Sequence, residues 1–251
     1  MYNNISSESS DKMKQKILII IPAYNEEDNI LKTYNCIVNH NKNNKIKYDV
    51  VVINDGSIDK TEKILRDNNI NHIQLVHNLG IGGAVQTGYK YAFENDYDIA
   101  VQFDGDGQHD INYVKYIIQP IIDDKADMVI GSRFIKKEKD NFNSSFSRRI
   151  GICLISFFIK LKTGKKIYDT TSGFRAINKN VIKLFNNDYP TEYPEPISSV
   201  VTIMNGYRID EVPVKMKARE GGKSSIHSWK NAYYMINVVL SIITLRDWRK
   251  K

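Results

Sequence analysis

A chain of 251 residues, 41% hydrophobic and 26% charged, is long enough to bury the core of one large α/β domain or two small ones. Its two cysteines, Cys36 and Cys153, each in an apolar helical pattern, exclude a disulfide framework or a cysteine metal site and fit a reducing cytosol, and no apolar stretch reaches the roughly 20 residues that span a bilayer. The net charge of +7 is unevenly placed, with 13 basic and 19 acidic residues up to Met128 and 23 and 10 beyond it, dispersed without a recognisable nucleic-acid motif.

Residues 1–15, rich in Ser, Asn and charge, read as a disordered tail. Ile17 to Ile21 is a first buried strand closed by Pro22. Asn25 or Asp28 is a candidate cap for the helix that follows, with Ile30, Tyr34, Ile37 and Val38 on one face. At the strand's carboxyl end, Tyr24 and Glu26 suit stacking on and hydrogen bonding to a nucleobase. A second strand, Tyr48 to Ile53, ends in Asp55, whose carboxylate can accept from a base N–H, while Ser57 or Asp59 suits the next helix cap. After a third strand, His72 to Val76, come Asn78, Gly80 and Gly82. Glycines ahead of a helix allow backbone to approach a phosphate or ribose at the positive helix end.

The central stretch is Val101-Gln-Phe-Asp104-Gly-Asp106-Gly-Gln108-His109-Asp110. Ile99 to Phe103 has the length and β-branched content of a buried strand, stopped by Gly105 and Gly107. Residues two apart in extended chain project to one side, so Asp104 and Asp106 can grip one hard cation that binds a diphosphate. A second acidic pair, Asp96 and Asp98, precedes the same strand. Position separates the two: open α/β sheets bind ligands at the carboxyl ends of their strands.

A helix over 112–123 and a strand over 127–130 continue the β-α alternation, which implies parallel strands with helices on both faces. Beyond them the chain is basic. Ser132-Arg133 ends a strand, Arg148-Arg149 opens an apolar helix over 150–162, and 169–175 leads into a short strand. Glu195 lies in the first turn of a helix opened by Tyr193-Pro-Glu-Pro. Pro213 marks 208–216 as an edge strand. Arg219, Lys223 and Ser224 stand in a glycine-hinged loop that suits closure over a diphosphate, and 229–251 resembles an interfacial or docking amphipathic helix. The acidic half suits a nucleotide held through a cation, and the basic half an anionic acceptor or membrane surface.

In this order the motifs resemble those of inverting glycosyltransferases of GT-A family 2, most of all the branch that makes dolichyl- or polyprenyl-phosphate sugars. The resemblance spans about residues 17–226. It rests on Pro-Ala-Tyr-Asn-Glu at 22–26, Asn-Asp-Gly-Ser at 54–57, Asn78 with Gly80 and Gly82, and Asp-Gly-Asp-Gly-Gln-His at 104–109. It implies a Rossmann-like, mostly parallel sheet in a catalytic domain over 16–228. Residues 16–130 would form its nucleotide-sugar half and 131–228 its acceptor half, followed by the helix at 229–251. It further implies that Pro22, Tyr24, Glu26 and Asp55 hold the base, with Ala23, Asn78, Gly82 and Gly105 beside the nucleotide sugar. Asp104 would contact ribose and metal, and Asp106 with Gln108 would bind Mg²⁺ or Mn²⁺. On the acceptor side it implies Ser132, Arg133, Arg148, Arg149, Ser172, Arg219, Lys223 and Ser224, with Arg133, Arg149 and Glu195 joining the two aspartates as catalytic candidates.

The function so implied is transfer of one hexose-type sugar from a UDP- or GDP-sugar to a polyprenyl phosphate for cell-envelope glycan synthesis, on the cytoplasmic face of a membrane. The Gln-x-x-Arg-Trp motif of processive synthases is absent, which favours a single transfer. Many members continue into transmembrane helices, whereas this sequence ends at Lys251, so attachment to the inner membrane surface or to a small membrane-protein subunit is expected, with self-association left open. One alternative is transfer to a sugar hydroxyl, which needs a base, Glu195 or in reserve Asp169. A second is a non-catalytic nucleotide-sugar-binding subunit. A third, nucleotidyl transfer, would call for a glycine-rich first loop that the chain lacks.

Overall fold

Ile17–Ala23 forms β1, seven consecutive buried residues. The run is apolar throughout rather than alternating because both faces of the sheet are covered, as in parallel sheets. The structure is a computed structural model describing residues 15–135, 146–216 and 228–245, with the side chains of 146–148 and 228–232 outside that description. The tail expected at 1–15 therefore lies outside the described residues, except for Gln15.

After β1 come α1 (Ile30–Asn43), β2 (Asp49–Asn54), α2 (Thr61–Asp67), β3 (His72–Gln74), α3 (Gly80–Glu94) and β4 (Ile99–Gln102). A 3₁₀ turn at Ile111–Tyr113 leads into α4 (Val114–Ile122) and β5 (Met128–Ser132). Then follow α5 (Phe146–Thr163), β6 (Arg175–Asn178), α6 (Lys179–Asn187), α7 (Pro194–Met204), β7 (Ile209–Pro213) and α8 (Ser228–Thr244). The seven strands lie in the order β3-β2-β1-β4-β6-β5-β7. All pairings are parallel except those of β6, which runs antiparallel to both β4 and β5. The expected GT-A-like, mostly parallel sheet is present, and β7 pairs only with β5, at the edge where Pro213 is tolerated.

Side chains alternate between two apolar layers. Leu18, Ile20 and Ala100 join one with Tyr89, Phe185 and Val200. Ile19, Ile21 and Val101 join the other with Ile37 and Ile117. The chain places β2 on one side of β1 and β4 on the other, so strand order reverses between β1 and β4, the place where open α/β sheets leave a crevice at their carboxyl ends. Helix α6 was not among the elements read from sequence. Its signal is local: Asn178 accepts the Val181 amide at 3.0 Å as an N-cap, and Val181, Ile182 and Phe185 are buried on one face.

Candidate active site at the ends of β1, β2 and β4

Three strand ends converge. Ala23 O accepts the Asp55 amide at 2.8 Å, tying the end of β1 to that of β2. Gly105 packs so closely that an added Cβ would lie 3.2 Å from Pro22 O, which ties β1 to β4. Tyr24, 46% exposed, is the first outward side chain after seven buried residues. Glu26 Oε2 accepts from Asn29 at 3.1 Å, and the Glu26 amide donates to Thr61 Oγ1 at 2.9 Å. Neither expected cap of α1 serves: its N-cap is Asn29, whose side chain bonds no amide of the helix, and left-handed Asn25 instead accepts the Ile58 amide at 2.9 Å. Asp59 does bond the first amide of α2, accepting from Thr61 at 2.9 Å.

Asp55 is buried, and its Oδ1 accepts the Leu79 amide at 2.7 Å. Burial pushes its pKa up, and the Leu79 and Gly80 amides offset only part of that rise. Gly56 at φ +65° backs onto the His77–Asn78 turn, where an added Cβ would sit 2.8 Å from Asn78 N. The Asp55 turn and the Asn78 turn are thereby one unit. Gly82, expected from sequence beside the nucleotide sugar, lies in α3 where an added Cβ would run into the Thr191 backbone, so packing by itself also requires glycine there.

The two acidic pairs part as position predicts. Asp98 accepts the Lys16 amide at 2.8 Å and Asp96 pairs with Lys179, both at the opposite edge of the sheet. Asp104 follows β4 with its side chain 32% exposed, and its Oδ2 bonds the buried His109 Nε2 at 3.0 Å. His109 is clamped between Phe174, stacked at 4.8 Å, and the edge of Phe103. Gly173 lies against the same carboxylate; an added Cβ would be 2.8 and 2.9 Å from its two oxygens. Burial pushes the Asp104 carboxyl up, but His109, the Gln102 amide and Arg133 outweigh it and hold the group below its ordinary range. Asp106 Oδ1 accepts the Gln108 amide at 3.1 Å across the turn at left-handed Gly107.

Among the described residues no group of three or more His, Cys, Asp or Glu is placed to hold a metal. The donor set nevertheless fits a hard cation completed by its substrate. Asp104 and Asp106 supply carboxylate oxygens and Gln108 an amide oxygen, and Mg²⁺-type sites commonly use one or two carboxylates plus substrate phosphates.

Several residues expected on the acceptor side have partners inside the protein. Arg133 is 7% exposed and grips fully buried Asp169, Nε to Oδ2 and Nη2 to Oδ1 both at 2.7 Å, with Nη2 also on Thr171 at 3.0 Å. Asp169, the reserve base of the alternative reading, is thus engaged as a buried ion-pair partner. Ser132 and Ser172 are each 1% exposed. The Ser172 hydroxyl donates to Gly131 O at 2.7 Å and that of Ser132 bonds the Glu211 side chain, so both are engaged inside the protein. Arg149 is exposed at the start of α5. The Arg148 side chain, Arg219, Lys223 and Ser224 lie outside the described residues.

Glu195 is at the N-terminus of α7, behind left-handed Tyr193. Burial raises its pKa and the Asp104 charge adds to the rise, against the opposing charges of Arg175 and Arg133. Two residues that shape the site were not singled out from sequence. His109 stood inside the quoted motif, where an imidazole five residues after a strand-end carboxylate was the available signal. Arg175 is 1% exposed and donates to Ser172 O at 2.7 Å and to Ser198 and Ser199, whose hydroxyls donate to Glu195 O. Nothing local marks an arginine in a strand as buried.

The model of the family described as Glycosyl transferase family 2 matches residues 18–185. The chain belongs to that family. Among curated relatives, the UDP-N-acetylglucosamine–dolichyl-phosphate N-acetylglucosaminyltransferase of Methanococcus voltae is 37% identical over 218 residues, covering 79% of this chain and 84% of the relative. The polyprenol monophosphomannose synthase of Mycolicibacterium smegmatis is 27% identical over 221 residues, covering 84% and 81%. Glucosyl-3-phosphoglycerate synthase from Mycobacterium tuberculosis, solved with Mn²⁺, UDP and phosphoglyceric acid, shares the fold with a TM-score of 0.69 at 17% identity, covering 93% of this chain and 80% of that one. This glycosyltransferase is thus related to enzymes that load sugars onto polyprenyl phosphates.

Proposed function

We propose that this glycosyltransferase moves one hexose-type sugar from a UDP- or GDP-sugar to a polyprenyl phosphate at the cytoplasmic face of a membrane, in cell-envelope glycan synthesis. The carrying observation is the Asp104–Asp106 pair in the β1/β4 crevice, with Asp104 kept ionised by His109. Tyr24 and Glu26 stand beside it for the base. Mg²⁺ or Mn²⁺, held by Asp104, Asp106 and Gln108, would supply positive charge to the leaving diphosphate.

An acceptor phosphomonoester with a second pKa of about 6 is largely dianionic at neutral pH and needs no base. Its oxygen attacks C1 of the sugar from the face opposite the diphosphate, the C1–O bond breaks, and the anomeric centre inverts. Sequestration of Asp169 in its pair with Arg133 supports an acceptor that arrives already ionised. Exposed Arg149 is proposed to meet the phosphate, and Arg133, already paired with Asp169, is the second candidate. The relatives that act on dolichyl or polyprenyl phosphate support the same acceptor.

The second reading, transfer to a sugar hydroxyl, draws on the same Glu195, since a carboxylate of raised pKa is a better general base near neutrality. The deciding experiment incubates the protein with Mg²⁺ or Mn²⁺, short-chain polyprenyl phosphate and a panel of labelled UDP- and GDP-sugars. Metal-dependent label in the organic phase, abolished by Asp106→Asn, supports the lipid phosphate and identifies the donor. Label on a glycan, or donor hydrolysis alone, would overturn it.

A further inference from the structure

Helices α5 and α8 lie side by side and in the same direction. Gly151 leaves room for Met235, whose Sδ an added Cβ would meet at 2.0 Å, and eleven residues on, Lys162 Nζ donates to Ile243 O at 3.1 Å. Each buries one stripe: Ile152, Ile155 and Ile159 on α5, Val238 and Ile242 on α8. Each also exposes an apolar stripe. On α5 it is Ile150, Leu154, Phe157 and Leu161, between 44% and 72% exposed; on α8 it is Tyr233, Ile236, Leu240 and Ile243, between 50% and 71% exposed. Spacings of three and four residues keep each set on one helix face. Eight large half-bare side chains on two touching helices exceed what singly scattered surface hydrophobics explain.

We propose that the paired α5–α8 face seats in the interface of an anionic lipid bilayer. Charge selects that occupant. Neither helix contains an acidic residue. Exposed Lys160, Lys162, Lys165 and Lys166 gather where α5 ends, and the sequence beyond α8 carries Arg246, Arg249, Lys250 and Lys251. Because the helices run in the same direction, the described lysines lie at the end of the apolar face where α8 also ends. That combination matches anionic headgroups over acyl chains. A second copy of the chain would bring cations against cations with no carboxylate on either helix to meet them. No helix among the described residues is long and apolar enough to cross a membrane, so this face lies on the bilayer rather than through it. The α5 stripe is the new element, since the sequence pattern pointed to the C-terminal helix alone.

The placement also orients the catalytic end. Tyr234 of α8 packs on Tyr193 at 5.0 Å, two residues before Glu195, and Arg149 opens α5. The N-terminal ends of both helices thus border the acceptor side of the crevice. This orientation rests on the lipid-phosphate reading; the surface itself does not.

The test is flotation of the full-length protein with vesicles of phosphatidylglycerol and phosphatidylcholine, against phosphatidylcholine alone. Wild type should bind the anionic vesicles, less so as salt rises, and Leu161→Glu on α5 and Ile236→Glu on α8 should each weaken binding about tenfold or more. Phe93→Glu, at a 43% exposed site on α3, should bind as wild type. Phe157→Glu and Leu240→Glu repeat the comparison if either first variant melts early. Equal binding by the α5 variants, equal binding to neutral vesicles, or no vesicle binding would overturn the proposal. So would a dimer in sedimentation that the same substitutions dissociate. Transfer to a water-soluble short-chain acceptor should be unchanged in every variant. Vesicle binding by a wild type that transfers no sugar would sink the acceptor reading and leave the surface standing.

Discussion

Arg133 and Asp169 form a two-pronged ion pair with both bonds at 2.7 Å, and Asp169 is wholly buried. Asp169 is in turn fixed through its amide, which Glu211 on β7 accepts at 2.9 Å together with that of Tyr168 at 2.8 Å. Removing one partner leaves an uncompensated buried charge. Asp169→Asn should therefore lower unfolding free energy by about 3–5 kcal/mol in a denaturant titration. The double variant Arg133→Met with Asp169→Leu should recover most of that loss. A single variant as stable as wild type would mean that water reaches the pair.

Glu195→Gln has two readouts. With a lipid-phosphate acceptor the rate should fall only a few-fold, whereas removal of a general base costs on the order of 100-fold or more. For stability the sign follows from burial: the folded pKa is raised, so the protonated acid is the favoured form in the fold. Its contribution is full below the ordinary glutamate value of about 4.3 and is lost as pH rises through the folded pKa. Glu195→Gln should therefore melt higher than wild type at pH 8 and equally at pH 4. Equal melting points at both would show a well-solvated carboxylate.

His109 bonds Asp104 at 3.0 Å, and its own side chain is 1% exposed. Partners that orient a metal-binding carboxylate typically contribute 10–100-fold in metal affinity or activity, so His109→Ala should raise the Mn²⁺ concentration for half-activation by that order. His109→Gln, which keeps an N–H donor, should recover part of it. Removing metal with EDTA should abolish turnover in both, and restoring it should separate them.

Gly173→Ala places a methyl 2.8 and 2.9 Å from the Asp104 oxygens, too close for both to stay where they are. The protein should stay folded by circular dichroism while metal-dependent binding of UDP or GDP, measured calorimetrically, weakens about tenfold or more. Unchanged affinity would show that the 172–174 segment yields at no cost.

Asp127 is held below the ordinary range: burial pushes it up, but hydrogen bonds and charge from Arg208 and the Asn178 amide prevail. Its stabilisation is present above an unfolded pKa of about 3.9 and is lost as pH falls through the lower folded value. Asp127→Asn should thus be destabilised at pH 7, with the gap to wild type closing between about pH 4 and pH 2 in thermal melts.

Much of the first half of the fold was legible because it depends on short-range pattern. An unbroken apolar run signals a strand covered on both faces, and a carboxylate directly after it marks the ligand-binding edge, which is enough to separate Asp104 and Asp106 from Asp96 and Asp98. The acceptor side was less legible. Ser132, Ser172 and Arg133 carry residue types that suit phosphate, yet a hydroxyl or guanidinium beside a strand can equally satisfy buried backbone or a buried acid. Only the partner decides which, and Asp169 is 36 residues from Arg133.

By itself, then, the sequence determined the β-α alternation, the family motifs and the acidic pair at the end of β4, since periodicity and strand-end position are local properties. Tertiary structure alone decided that Gly82 backs onto Thr191, that Asp169 is locked to Arg133, that His109 bonds Asp104, and that α5 and α8 lie side by side. Each of those depends on contacts between residues far apart in the chain, and the strand order that brings them together appears in no single segment of it.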